Sequence, residues 1–243
     1  MSVKVENIDF SKWNDRRILK NHPSMPQNCF RMIIAGGSGS GKTVLTVNMI
    51  LKYLNYDKLY IFAPSIHQPA YQCLKDTFKE LDDERKEYVR KYNEKHKRQM
   101  AQPEDIAYFA DSLDDFNLDT LNQGEQHLIV LDDMVLNRQS PMINLYVRGR
   151  HKACSIIYLT QSYFTVPRII RQNATSVILM NPTSRRELSM LHRDVGQGTE
   201  PKQFTKTIER ALEDQYSFVK IDTATGDKKK RMTSSFDEPL VFN

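Results

Sequence analysis

The chain has few cysteines, and they are poorly placed for cross-linking. Cys29, Cys73 and Cys154 are odd in number and form no CxxC pair, which argues against a disulfide framework. Two of them lie in apolar runs, so buried thiols in a reducing compartment are expected. With no Cys/His set in metal-ligand spacing, no zinc site is expected, and His151 reads as structural. No run approaches ~18 apolar residues, and residues 1–10 lack the apolar segment of a signal peptide, so a cytosolic or nuclear protein without a membrane span is expected. No internal repeat is visible. The composition, 40% hydrophobic and 27% charged over 243 residues, suits one sizeable globular domain with a real core and an appendage. A net charge of +5 and a pI near 9.0 favour an anionic partner such as nucleic acid, although an excess of this size decides little alone.

Against that background one stretch stands out. Gly36-Gly37-Ser38-Gly39-Ser40-Gly41-Lys42-Thr43 follows the apolar run Cys29-Phe30-Arg31-Met32-Ile33-Ile34-Ala35. Its spacing is GxxxxGK[ST], a phosphate-binding loop. The glycines let successive N–H groups point into one concavity, and the helix that begins near Lys42 adds its positive end. In such a loop the Lys reaches the outer phosphates of ATP and the Thr hydroxyl ligates Mg2+. Behind it, Val44, Leu45, Val47, Met49, Ile50, Leu51 and Leu54 predict a mostly apolar helix, and Lys58-Leu59-Tyr60-Ile61-Phe62-Ala63 a second strand stopped by Pro64. That is the β-loop-α-β opening of an α/β nucleotide-binding fold.

Further along, residues 1–28 read as an irregular lead-in, with Trp13 as packing. Residues 68–100 read as a charged helical insertion, in which 85–98 hold seven Lys/Arg against Glu87 and Glu94. Either a solvated helix laced with i,i+4 pairs or a basic arm facing DNA or a subunit accounts for it. Residues 102–126 read as loop and short helix. Strands are expected at 127–131, 155–160, 176–180 and 216–221, and helical segments at 141–150, 167–171, 185–192 and 203–212. A basic turn at 228–231 follows Gly226.

The strand at 127–131 ends in Asp132-Asp133, where an open parallel sheet places its ligands. Asp132 is assigned to the metal through its water shell, with Thr43 as direct ligand, and Asp133 to polarising the attacking water; capping of the next helix is the alternative. Gln161, ending the next strand, can hydrogen-bond both that water and a γ-phosphate oxygen, or merely cap the strand. Arg148 and Arg150, in Arg148-Gly149-Arg150-His151-Lys152, fit either an arginine finger offered to a neighbouring subunit or a basic helix end. Arg168, Arg171, Arg185 and Arg186 are weaker candidates, better placed at a subunit or DNA surface.

Together GGSGSGKT (36–43), HLIVLDDM (127–134), RGRHKACSIIYLTQSYFTVPRIIRQN (148–173) and SVILMNP (176–182) resemble the viral genome-packaging ATPases of the FtsK-HerA superfamily, found in poxviruses, other large DNA viruses, virophages and polinton-like elements. The resemblance spans roughly residues 29–182. It implies a RecA-like P-loop (ASCE) fold, a mostly parallel sheet flanked by helices, with the Gln161 strand between the P-loop and Asp132 strands; residues 183–243 are expected to form a small C-terminal extension packed on this core. It also implies ATPase roles for Lys42, Thr43, Asp132, Asp133 and Gln161, a homo-oligomeric ring of five or six subunits, and translocation of double-stranded DNA into a preformed capsid. Host cytoplasm at the viral factory, and the virion, are the implied locations. A P-loop nucleoside or metabolite kinase, and a non-hydrolysing ATP-dependent scaffold binding DNA or capsid protein, are the rival readings of the same loop.

Overall fold

The aliphatic runs become the middle of one sheet in a computed structural model that describes residues 18–242 except 98, 183, 197 and 228–230, with residue 135 described for its backbone only. The strands are β1 (Arg31–Ala35), β2 (Lys58–Phe62), β3 (Ala107–Ala110), β4 (His127–Asp132), β5 (Cys154–Thr160), β6 (Ser176–Leu179), β7 (Val219–Asp222), β8 (Met232–Ser234) and β9 (Glu238–Pro239). Their order across the sheet is β3-β2-β4-β5-β1-β6-β7-β8-β9. From β3 to β6 every pairing is parallel, and β7, β8 and β9 continue the sheet antiparallel. The strand ending at Gln161 lies between the P-loop and Asp132 strands, as the resemblance implied.

Both faces of the central strands are buried, which is why they read as continuous aliphatic runs rather than as alternation. Ile33, Ile129, Ile156 and Tyr158 face one layer, against α3 (Gln139–Arg148), α4 (Arg168–Asn173), α5 (Arg185–Val195) and α6 (Pro201–Ala211). Met32, Ile34, Leu128, Val130, Ile157 and Leu159 face the other, against α1 (Lys42–Lys52) and α2 (Pro69–His96).

Several expectations change. Residues 102–126 contain the edge strand β3, whose half-exposed Ala-Tyr-Phe-Ala is too short to announce itself by pattern. The helical stretch after Gln68 is not only an insertion: its first turns bury Tyr71, Leu74 and Phe78, and only the later part stands in solvent. There Arg85 pairs with Asp82, Lys86 with Asp105, Arg90 with Glu87 and Glu94, and Lys91 with Glu87. These pairs favour the solvated-helix reading over a basic arm. The C-terminal extension joins the sheet itself through β7. Of the cysteines, Cys154 is buried and Cys29 half-buried, but Cys73 is exposed on α2. Trp13 and Lys228–Lys230 of the basic turn lie outside the described residues. Among the described residues no helix is long and apolar enough to cross a membrane.

Candidate nucleotide site

Strand register brings the motif residues together. Ala35 pairs with Thr160 and Leu159 with Asp132, so the loops leaving β1, β5 and β4 emerge side by side at the carboxyl end of the sheet. The Gly36 N–H donates to Thr160 O (3.2 Å) and the Asp133 N–H to Leu159 O (3.2 Å), tying the three exits to one another.

The loop itself is held by backbone. A Cβ on Gly36 would lie 2.2 Å from Met180 O, so only glycine lets the loop pack beside the end of β6. Gly41 precedes α1 at φ 93°, a left-handed conformation costly for other residues, and offers no side chain to cap the helix. The first-turn N–H groups of α1 therefore remain available to an anion. Ser40 Oγ is buried without a hydrogen-bond partner, an orphan hydroxyl inside the same loop. Lys42 Nζ reaches back across the loop to Gly36 O (2.6 Å) and Gly37 O (2.9 Å). Burial depresses its pKa, while Asp132 and Asp133 oppose that.

Asp132 is buried at the end of β4. Two residues not foreseen from sequence hold it: Tyr71 OH donates to Asp132 Oδ2 at 2.6 Å and Gln68 Nε2 at 3.3 Å, both from the start of α2. Burial pushes the Asp132 carboxyl above the usual carboxylate range, these two hydrogen bonds pull it back, Asp133 pushes it up and Lys42 draws it down. Burial and the Asp132 charge push the Tyr71 hydroxyl upward, so it stays a donor. Asp133 is exposed, has φ 53°, and makes no side-chain cap to the 3-10 turn that follows, against the capping alternative. Gln161 Nε2 instead donates to Asp133 Oδ2 at 3.1 Å.

A cleft of about 670 Å3 opens beside Gly41, Lys42 and Thr43, walled by Tyr53, Met180, Tyr216, Phe218 and Phe236. Tyr216 stands at φ 65° with its ring against Gly41: a Cβ there would lie 3.1 Å from Tyr216 Cδ1. Sequence reasoning missed this wall, because its aromatics come from the residue after α1, from the turn and coil before β7, where a strand from 216 was expected and the structure begins it only at Val219, and from the turn between β8 and β9. A signal was present in the aromatic content of residues 216–218, read only as strand.

Arg148 and Arg150 are not part of this assembly. They flank the amino end of β5, about 20 Å from its carboxyl end at ~3.3 Å per residue. Arg148 pairs with Asp119 (3.0 Å), which Lys152 also contacts (3.2 Å). Arg150 is exposed and close enough to Arg31 to help depress that guanidinium's pKa, second to burial.

A P-loop, a strand-terminal carboxylate pair and a strand-terminal glutamine on an intervening strand define a P-loop NTPase with the additional-strand sheet. The chain belongs to the Poxvirus A32 protein family, whose profile matches residues 19–238, a family of viral DNA-packaging ATPases. Among solved structures it is similar to the genome packaging NTPase B204 from Sulfolobus turreted icosahedral virus 2 in complex with AMPPCP, at 13% identity and TM-score 0.53, covering 86% of this chain and 97% of that one. It is also similar to B204, the DNA-packaging ATPase from Sulfolobus Turreted Icosahedral Virus, at 11% identity and TM-score 0.51 over 86% and 97%. At these identities the likeness speaks for the fold. No curated protein sequence matches the chain.

Proposed function

We propose that this chain hydrolyses ATP at the carboxyl end of the sheet and uses the cycle to move double-stranded DNA into a preformed capsid. The observation that carries the reading is that Asp132, Asp133 and Gln161 leave strand ends adjacent to the one from which the loop runs to Lys42 and Thr43 at the start of α1, with Lys42 in the field of both aspartates and Gln161 hydrogen-bonded to Asp133 at 3.1 Å. The N–H groups of residues 36–43, from Gly36, Gly37, Ser38, Gly39, Ser40 and Gly41 to the start of α1, would cradle the phosphates. Lys42 would leave the loop carbonyls to clamp the outer oxygens.

The aromatic cleft lined by Tyr53, Tyr216, Phe218 and Phe236 adjoins the cradle and suits a purine face. Asp133 and Gln161 would hold one water in line with the γ-phosphorus. The water oxygen forms the new P–O bond as the bond to the β-phosphate oxygen breaks, ADP leaves, and the water's proton passes to Asp133 or to the departing phosphate.

Magnesium fits this donor set. A hydroxyl and a carboxylate beside the phosphate loop are the few protein oxygens that a hydrated magnesium ion takes alongside phosphate oxygens. Thr43 Oγ1 and Asp132, a buried carboxylate that favours a nearby cation, would hold the ion, Asp132 through water. When bound, the ion would neutralise negative charge on the phosphate oxygens.

We place Arg150, rather than the Asp119-bound Arg148, at a neighbour's nucleotide in a ring of five or six copies. Host cytoplasm at the viral factory and the virion remain the proposed locations, and a capsid protein the docking partner. Phosphate release from ATP, measured with and without duplex DNA, tests the function. We expect turnover that DNA stimulates and that Lys42→Ala abolishes, because Lys42 is the cation within the loop. Near wild-type hydrolysis by Lys42→Ala would overturn the site, and phosphate transfer only to an organic acceptor would favour a kinase.

A further inference from the structure

At the opposite end of the sheet from the P-loop, a cleft of about 880 Å3 is lined by Arg168, Arg171, Gln172, Ala174, Arg193, Asp194, Val195, Thr223 and Arg231. Its floor is firm. Ser176 at the start of β6 pairs with Asp222 at the end of β7, and beyond that pair Thr223 donates from N–H to Thr175 O (3.0 Å) and from Oγ1 to Ala174 O (2.8 Å). The walls come from the two faces of α4 and α5 and from the strand returning at Arg231.

Four arginines meet one carboxylate here, and that carboxylate is already engaged. Asp194 accepts from Arg171 Nε (2.8 Å) and from Tyr163 OH (3.2 Å), and Arg171 also donates to Val166 O. Arg171 is thereby fixed as part of the wall. Arg168 and Arg193 are exposed and have no ion-pair partner among the described residues, and Arg231 Nε is buried without a hydrogen-bond partner.

We infer that this cleft binds the phosphodiester backbone of duplex DNA through Arg168, Arg193 and Arg231. The inference rests on the DNA-engaging reading above and names the surface that serves it. Three guanidiniums drawn from α4, α5 and the β8 lead-in line one cleft, and planar guanidinium forks suit phosphate oxygens better than ammonium groups do. A volume of about 880 Å3 exceeds what a lone phosphate fills, and the polar lining suits a backbone rather than a base face. The rival basic segment on α2 is a weaker claimant. There Arg85, Lys86, Arg90 and Lys91 are each held by a carboxylate of this chain, and an incoming phosphate would have to displace it.

The test uses the full chain, a fluorescent duplex of arbitrary sequence, and a salt series. Arg168→Ala/Arg193→Ala is expected to lower duplex affinity at least about tenfold at low salt and to reduce the log–log salt slope by about two units. Arg168→Lys/Arg193→Lys should recover part of the affinity and the slope. Affinity for a fluorescent ATP analogue and the melting temperature serve as integrity controls and should match wild type. If wild type binds duplex and the Ala pair binds it equally with the same slope, DNA is contacted elsewhere and this assignment falls while the DNA-engaging reading stands. Loss of self-association with unchanged duplex affinity would make the cleft a subunit seam, and tripolyphosphate affinity that falls in the Ala pair while duplex affinity does not would make the ligand a free polyphosphate; either overturns it. If wild type binds no duplex at all, the broader DNA reading fails and this one with it.

Discussion

At the carboxyl end of the sheet Lys42 lies between two loop carbonyls and within the field of two aspartates, Asp132 is held by Tyr71 and Gln68, and Asp133 by Gln161. At the amino end, Arg31 and Arg150 repel one another, and Arg168, Arg193 and Arg231 crowd a cleft whose one aspartate is engaged by Arg171. Both ends are polar and both are built on the same buried strands, yet one organises its charges internally and the other, beside the pairs of Arg148 and Lys152 with Asp119 and of Arg171 with Asp194, leaves Arg150, Arg168 and Arg193 facing outward. Internal pairing pre-orients groups for a reaction whose charge develops in place. Unbalanced cations instead await charge from another molecule. The α2 surface forms a third case, in which numerous cations are balanced by local carboxylates and so offer little to a partner.

The comparison can be broken from either side. The largest effect is expected from the amino end if it completes a neighbour's site: Arg150→Ala should lower kcat by on the order of a thousandfold while sparing ATP binding. Mixing it with Lys42→Ala should restore part of the activity, since each subunit supplies what the other lacks. A full-rate monomer, or an inactive mixture in which mixed oligomers demonstrably form, would assign the two ends to separate tasks.

At the carboxyl end, Asp133→Asn should retain ATP binding and lose roughly a hundredfold or more in turnover. Unchanged turnover would transfer the water-positioning role to Gln161. Smaller again is the expected effect of Tyr216→Ala, which removes one exposed wall of the aromatic cleft: KM for ATP should rise about tenfold at nearly constant kcat, from lost ring stacking. An unchanged KM would move the base elsewhere.

Tyr71→Phe should change least. The Tyr71 hydrogen bond favours the ionised form of Asp132 against burial, so its removal raises the Asp132 pKa further. Because the proposed role needs the carboxylate, the acid limb of the pH–kcat profile should move to higher pH, with turnover at pH 8 close to wild type. An acid limb that stays in place would show that another group controls it.

How much of this was legible before folding depends on the range over which each feature is encoded. The phosphate loop is local: its glycines, Lys42 and Thr43 are consecutive, and the turn they impose follows from backbone sterics. The central strands were equally legible, because burial on both faces demands an unbroken aliphatic run, and Asp132, Asp133 and Gln161 announce themselves as polar residues ending such runs. β3, with three half-exposed residues and the exposed Tyr108, and β8 and β9, with three and two residues, carry too little pattern to be read.

Two other features were out of reach for a different reason. Tyr71 and Gln68 reach Asp132 across more than 60 positions, inside a segment whose later charges dominate its composition. The arginine cleft gathers residues between 168 and 231 from α4, α5 and the β8 lead-in: Arg168, Arg171 and the basic turn were legible as surface cations, but not the meeting of Arg168 and Arg171 with Arg193 and Arg231. The sequence by itself determined the loop, the strand-end carboxylates and the chemistry they suit, because local sterics and period encode them. Which charges are paired and which face outward was decided only by the tertiary structure, since pairing depends on distances between elements that no local pattern specifies.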